Sequence, residues 1–245
     1  MRLSPHSTTI VFIFLSNNLL SSEAIDPIDL RINLLLTPPT EEVSVNYSAI
    51  GYGSANLSTD RLNNGWRAEI GVVGTIHRIS EKWSVLAGGG FFYGSQSAST
   101  YEPGSRELSI MTGPMTMTVM GVNLQLALDL RINAYMNLEF GPFVGLGGST
   151  ISDTGVGVDG PDSRVTENGH GEYEEAGISV ALYARNKSRS MIFGLGLRYF
   201  TAYAEADLSY NLEDSNGNVT YGGLKQQVEI RQHGFAPQLT FGMSF

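Results

Sequence analysis

The chain has 245 residues, a net charge of −9, no cysteine and only 16% charged residues. Without cysteine there is no disulfide framework, thiolate metal site or cysteine nucleophile, and the acidic balance argues against nucleic acid as a partner, because phosphates are repelled. With 29 glycines and 10% aromatics, the composition fits neither a disordered chain nor a charged helical bundle.

Residues 1–24 read as a signal peptide. Arg2 supplies the positive start, Thr8 to Leu15 an apolar run, and Ser22-Glu23-Ala24 a small-x-small cleavage site. The run is too short for a membrane helix, which needs about 20 apolar residues. No later window is long and apolar enough either, so integral contact with a membrane requires a barrel. Residues 25–245 then form one domain.

Alternation with a period of two recurs along that domain. Ile28 to Thr37 sets Ile28, Leu30, Ile32, Leu34 and Leu36 against Asp29, Arg31, Asn33 and Thr37, with Leu35 the exception. Further strands are expected over Trp66–His77, Trp83–Tyr93, Thr116–Leu128, Met136–Gly148, Ala176–Arg185, a segment starting at Met191, and a last one ending at Phe245. That is about eight. Val43 to Ser48 also alternates and is read as an extension of the first strand above the membrane, or as part of the first loop.

The connections sort by length. Those near Ser80, Arg131 and Lys187 are short; those over Pro38–Asn64, Ser95–Thr112, Thr150–Glu175 and Asn211–Gly223 are long and polar. Short and long alternate without exception, as in an all-β, antiparallel, up-and-down transmembrane barrel with short turns at one rim. A soluble sandwich has no reason to sort its loops in this way.

The side opposite the apolar one carries Arg31, Arg67, Glu69, Glu139, Arg185 and Arg198. In a barrel of eight strands side chains fill the interior, so these charges are expected to form buried ion pairs, in an outer cluster on Glu69 and an inner one on Glu139, rather than to line a pore. Trp66 and Trp83 fall at opposite membrane edges, where indole rings favour the interface; Phe91, Tyr93 and Tyr199 are assigned to the same belts.

The pattern resembles the small bacterial outer-membrane barrels typified by the membrane domain of OmpA, by OmpX and by the Opa proteins, over nearly all of residues 25–245. The most specific element is the terminal insertion signal, which Gln238, Met243 and Phe245 match, with Phe241 alternating before Met243, although Thr240 stands where that family has glycine. The resemblance implies an outer-membrane location, outer-membrane lipid around a monomer, and handling by the barrel-assembly machinery.

No residue set points to catalysis. Of His6, His77, His170 and His233, none sits beside a serine in a recognisable motif. The acidic stretches Asp153–Asp162, with Glu167, Glu172, Glu174 and Glu175 after it, and Asp214–Asn218 carry oxygen ligands of the kind calcium takes, but neither completes a binding loop. No metal or cofactor is assigned, and Gly145-x-Gly147-Gly148 lies in a strand with no helix to make it a phosphate loop. The functional expectation is a structural or surface-exposed barrel; a binding or adhesion module acting through the long loops, and a passive channel for small molecules, stay open. Replacing Phe245 by serine is expected to lower the outer-membrane yield while export continues, as measured by fractionation of envelope and periplasm.

Overall fold

The structure is a computed structural model that describes residues 28–40, 42–49, 53–59, 62–63, 65–97, 115–156, 164–213 and 219–245. The signal-peptide segment, most of the Ser95–Thr112 connection, residues 157–163 and residues 214–218 lie outside the described residues. The described elements are ten strands: β1 (Asp29–Thr37), β2 (Glu42–Ala49), β3 (Gly53–Thr59), β4 (Gly65–Arg78), β5 (Trp83–Ser97), β6 (Thr116–Arg131), β7 (Met136–Val156), β8 (Arg164–Arg185), β9 (Met191–Glu213) and β10 (Val219–Ser244).

Eight of them close a ring. The order runs β1-β4-β5-β6-β7-β8-β9-β10, and β10 pairs back onto β1 from Asp29↔Ser244 to Leu35↔Gln238. Every ladder is antiparallel. The three tight turns, 79–82, 132–135 and 186–190, lie at one rim with Ile28 and Phe245. Backbone bonds run from one turn to the next there: the Arg131 amide donates to Lys82, Arg185 to Tyr135, and Ser244 to Ser190, at 2.8–3.0 Å. We call this the turn rim.

The wall's outer face is apolar and open to its surroundings. Ile70, Phe91, Met120, Val122, Val144, Ile178, Val180, Leu195 and Phe241 all point outward, with Phe91 69% and Leu195 68% exposed. A soluble monomer does not leave so large a patch bare. Hydrocarbon is the solvent that suits it, and a closed ring is the only sheet that crosses hydrocarbon with its amides satisfied.

β7 to β10 have 21, 22, 23 and 26 residues, about twice what a tilted crossing needs. Their far halves form a second section in which polarity reverses. In β9 the outward face changes from Phe193, Leu195, Leu197 and Tyr199 to Thr201, Tyr203, Glu205 and Asp207, while the inward face changes from Gly194, Gly196 and Arg198 to Ala202, Ala204, Ala206 and Leu208. β6 reverses between Val119, buried, and Met120, exposed. Above the apolar band the barrel is therefore built like a soluble one. Its core holds Val43, Leu62, Phe92, Met117, Ile151, Tyr173, Leu208, Val228 and Ile230, all buried.

This corrects the reading of Thr150–Glu175 and Asn211–Gly223 as loops, since most of both is ladder. It also settles Val43–Ser48. That segment belongs to β2, which is neither β1 prolonged nor a loop: it pairs with β10 from Arg231↔Glu42 to Lys225↔Ser48 and forms a hairpin with β3. β10 thus changes partner along its length, from β1 within the band to β2 above it. Gly234 marks the handover. Its φ is +143°, open to glycine and rarely adopted by other residues, and an added Cβ would stand 3.1 Å from Pro38. Leu35, which broke the alternation in β1, faces inward and packs with Phe143, Phe200 and Ala236.

Ile230→Asp places a charge in the upper core. We expect it to open that section to added protease while the turn-rim half stays protected in detergent, as read by the fragment pattern on a gel.

Candidate functional site

The lumen holds two sets of ion pairs on the strands just described. Period-two geometry brings their side chains inward, and the antiparallel registers decide the partners.

The set nearer the turn rim centres on Arg31 of β1. Its guanidinium donates to both oxygens of Glu139 on β7 at 2.6 and 2.8 Å, and to Asp29 at 2.7 Å. Arg185, half-buried, donates two bonds to Asp29 at 3.0 and 2.8 Å and a third to Ser244. Asn137 bridges Asp129 at 2.6 Å and Glu139 at 3.2 Å. The Tyr183 ring lies 4.3 Å from the Arg31 guanidinium.

The second set lies farther from that rim. Arg198 of β9 holds Glu69 of β4 in a fork of two 2.7 Å bonds. Arg67 reaches the same Glu69 at 2.8 Å and bonds Glu175 of β8, which also accepts from the Tyr173 hydroxyl at 2.9 Å. Arg198 donates a further bond to Gln238, which donates in turn to Asn33 and Thr240. Phe92 lies 3.8 Å under Arg67 and Phe143 4.8 Å from Arg198, so each cation has an aromatic face as well as its carboxylates. Arg67, Arg198, Glu69 and Glu175 sum to zero charge. Arg31, Arg185, Asp29 and Glu139 do the same, with Asp129 in excess.

Two glycines make this filling possible. A Cβ on Gly145 would stand 2.4 Å from the Glu175 carboxylate, and one on Gly121 2.8 Å from the Phe92 ring.

The six charged residues singled out in the sequence all face the lumen, in these two sets. Sequence reasoning missed Asp29 and Glu175 as members. Glu175 was grouped with Glu172 and Glu174 as a cation-loop residue, whereas those two face outward. The signal was there: Glu175 shares the parity of Gly177, Ser179 and Arg185. Gln238 was assigned to the insertion signal alone, yet its side chain is buried in the second set, while Phe241, Met243 and Phe245 are exposed. Among the aromatics, Trp66 pairs with Tyr93 at 5.6 Å and Tyr199 with Phe235 at 5.0 Å at the upper edge of the band, and Trp83 meets Phe140 at the turn rim. Phe91 sits within the band instead, between Ile70 and Val122. His77 and His170 are both exposed, His77 near the turn rim and His170 above the band beside Thr150. Among the described residues no group of three His, Asp or Glu stands ready to hold a metal.

An eight-stranded ring with an apolar exterior and a charged, filled interior defines a transmembrane β-barrel of the outer-membrane type. No protein-family profile matches the sequence, and no curated protein does. The structure is similar to the outer-membrane protease OmpT of Escherichia coli, with 11% identity over 94% of this chain and 100% of that one and a TM-score of 0.52. OprG of Pseudomonas aeruginosa shows 13% identity over 91% and 97%, with a TM-score of 0.41, and Ail of Yersinia pestis 11% over 91% and 100%, with 0.28. At such identities the likeness to OmpT speaks to the fold alone.

Among the described residues Glu69 is the only carboxylate on Arg198, whereas Arg31 keeps Asp29 if Glu139 is lost. Glu69→Gln is expected to destabilise by about 3–5 kcal/mol, because it strands a buried cation, and Glu139→Gln by less. Urea midpoints in detergent give the ranking.

Proposed function

We propose that the protein is a non-catalytic, monomeric outer-membrane barrel whose interior is sealed and whose work is done by the section standing outside the lipid. The turn rim would face the periplasm. The observation that carries this reading is the reversal of polarity above the band. The strands continue past the membrane to build a packed core with an acidic outer face, which includes Glu172, Glu174, Glu205, Asp207 and Glu229. A barrel that served only to anchor itself would need no such extension, and a channel would not be filled at three levels by two charged sets and an apolar core. The likeness to OmpT supports the location through the fold and leaves the activity aside.

The passive-channel alternative requires water through the region of Glu69 and Arg198. Those groups are nearly fully buried and bonded to each other, and opening a path there breaks the fork. In planar bilayers the wild-type chain is expected to show no steady conductance, and Arg198→Ala with Glu69→Ala to show brief openings. Steady wild-type conductance would return the channel reading to first place. Because the chain has no cysteine, labelling intact cells that carry Asp207→Cys with a membrane-impermeant thiol reagent tests which section is outside: labelling is expected, and its absence would place the upper section in the periplasm.

A further inference from the structure

The turn rim is the basic end of an acidic protein. Arg78, Lys82, Arg131, Lys187 and Arg189 are exposed there, with Glu81 the only acid on the three turns, in a chain whose net charge is −9. At this rim the barrel opens into a vestibule of about 390 Å³. Arg78 from β4, Arg131 from β6 and Arg189 from the turn between β8 and β9 line it, and Ser84, Ser188 and Ser190 add hydroxyls. Its floor is the charge set of Arg31, in which Asp29 and Glu139 are already taken by arginines and Asp129 accepts from Asn137, one carboxylate set against the arginines of the mouth. Arg131 and Arg189 meet no carboxylate among the described residues.

Arg189 also holds its backbone at φ 61°, a conformation that costs a side-chain-bearing residue energy and that glycine would take freely. The turn, closed by the Arg189 amide on the Asn186 carbonyl at 2.8 Å, would be easier to make with glycine, which has no Cβ, at position 189. Strain kept at the mouth of a cavity is a pointer to use.

We propose that this vestibule binds a phosphate group. Guanidinium forks match phosphate oxygens, and those of Arg131 and Arg189, arriving from two sides of the mouth with hydroxyls between, suit a tetrahedral oxyanion. The group is carried either by a free phosphate compound at this rim or by the headgroup of an acidic phospholipid in the adjoining leaflet.

The test uses the full chain refolded in nonionic detergent. In one arm inorganic phosphate is titrated by calorimetry; in the other the micelle is doped with phosphatidylglycerol or, as control, phosphatidylcholine, and the thermal midpoint is read. Arg131→Gln with Arg189→Gln should abolish whichever signal appears. Phosphate binding identifies a free ligand, and a midpoint raised by phosphatidylglycerol alone identifies the headgroup. Arg189→Gly guards against a folding failure: it should raise the midpoint in plain detergent and weaken phosphate or phosphatidylglycerol by about tenfold, the scale of one charge-assisted contact. Lys82→Gln with Lys187→Gln removes equal charge from the rim outside the vestibule and should change affinity little. The proposal is overturned if neither probe acts on the wild type, if Arg189→Gly binds as well as the wild type, or if the lysine pair matters as much as the arginines.

Discussion

Hydrocarbon offers a backbone amide nothing to bond to, so the whole structure depends on the seven-residue ladder between β1 and β10. Where that ladder ends, the wall must find another partner for β10 or leave the lipid. It does both at one place. Pro38 and Pro39 contribute no amide donors, Gly234 turns the backbone, and the carbonyl of Pro38 is taken by the side chains of Gln96 and Gln232 reaching in from β5 and β10. Beyond this point β2 and β3 continue the wall in water.

The reversal of polarity follows from the change of solvent. Inside the band the outer face must be apolar, and in eight strands the narrow lumen is left to glycine and whatever charges can neutralise one another. Above the band the outer face meets water, so the apolar residues move inside, where they exclude it. The parity of each strand is unchanged; only its chemistry switches sides. Arg198 and Phe200 on β9 are adjacent inward positions, and the step between them is where a polar lumen gives way to an apolar core.

The charges sit where they do at a cost. Burying an arginine without a partner would oppose folding by several kcal/mol, yet each of the two sets is nearly neutral, and Arg31, Arg67 and Arg198 each also rest on an aromatic ring. The Nε atoms of Arg31 and Arg67 are buried without a hydrogen-bond partner, the penalty that remains after the ring contacts are made. Such sets fix the rotational register of the barrel, because sliding one strand by a residue would turn its charge into lipid.

The sequence by itself determined the membrane part. Period-two alternation, the sorting of turns from loops and the parity of Arg31, Arg67, Glu69, Glu139, Arg185 and Arg198 are local properties, written in the order of residues, and each follows from a strand having one face in lipid. Tertiary structure alone decided the rest. Which arginine meets which carboxylate depends on the shear of the ring: Arg67 reaches Glu175 and Arg31 reaches Glu139 across 108 residues of chain, and no local pattern encodes that distance. The upper section escaped for a related reason. There the apolar residues move to the opposite parity, so a reading that follows one face of β9 past Tyr199 finds Thr201, Tyr203, Glu205 and Asp207, and takes for a loop what only the presence of β8 and β10 on either side shows to be a strand.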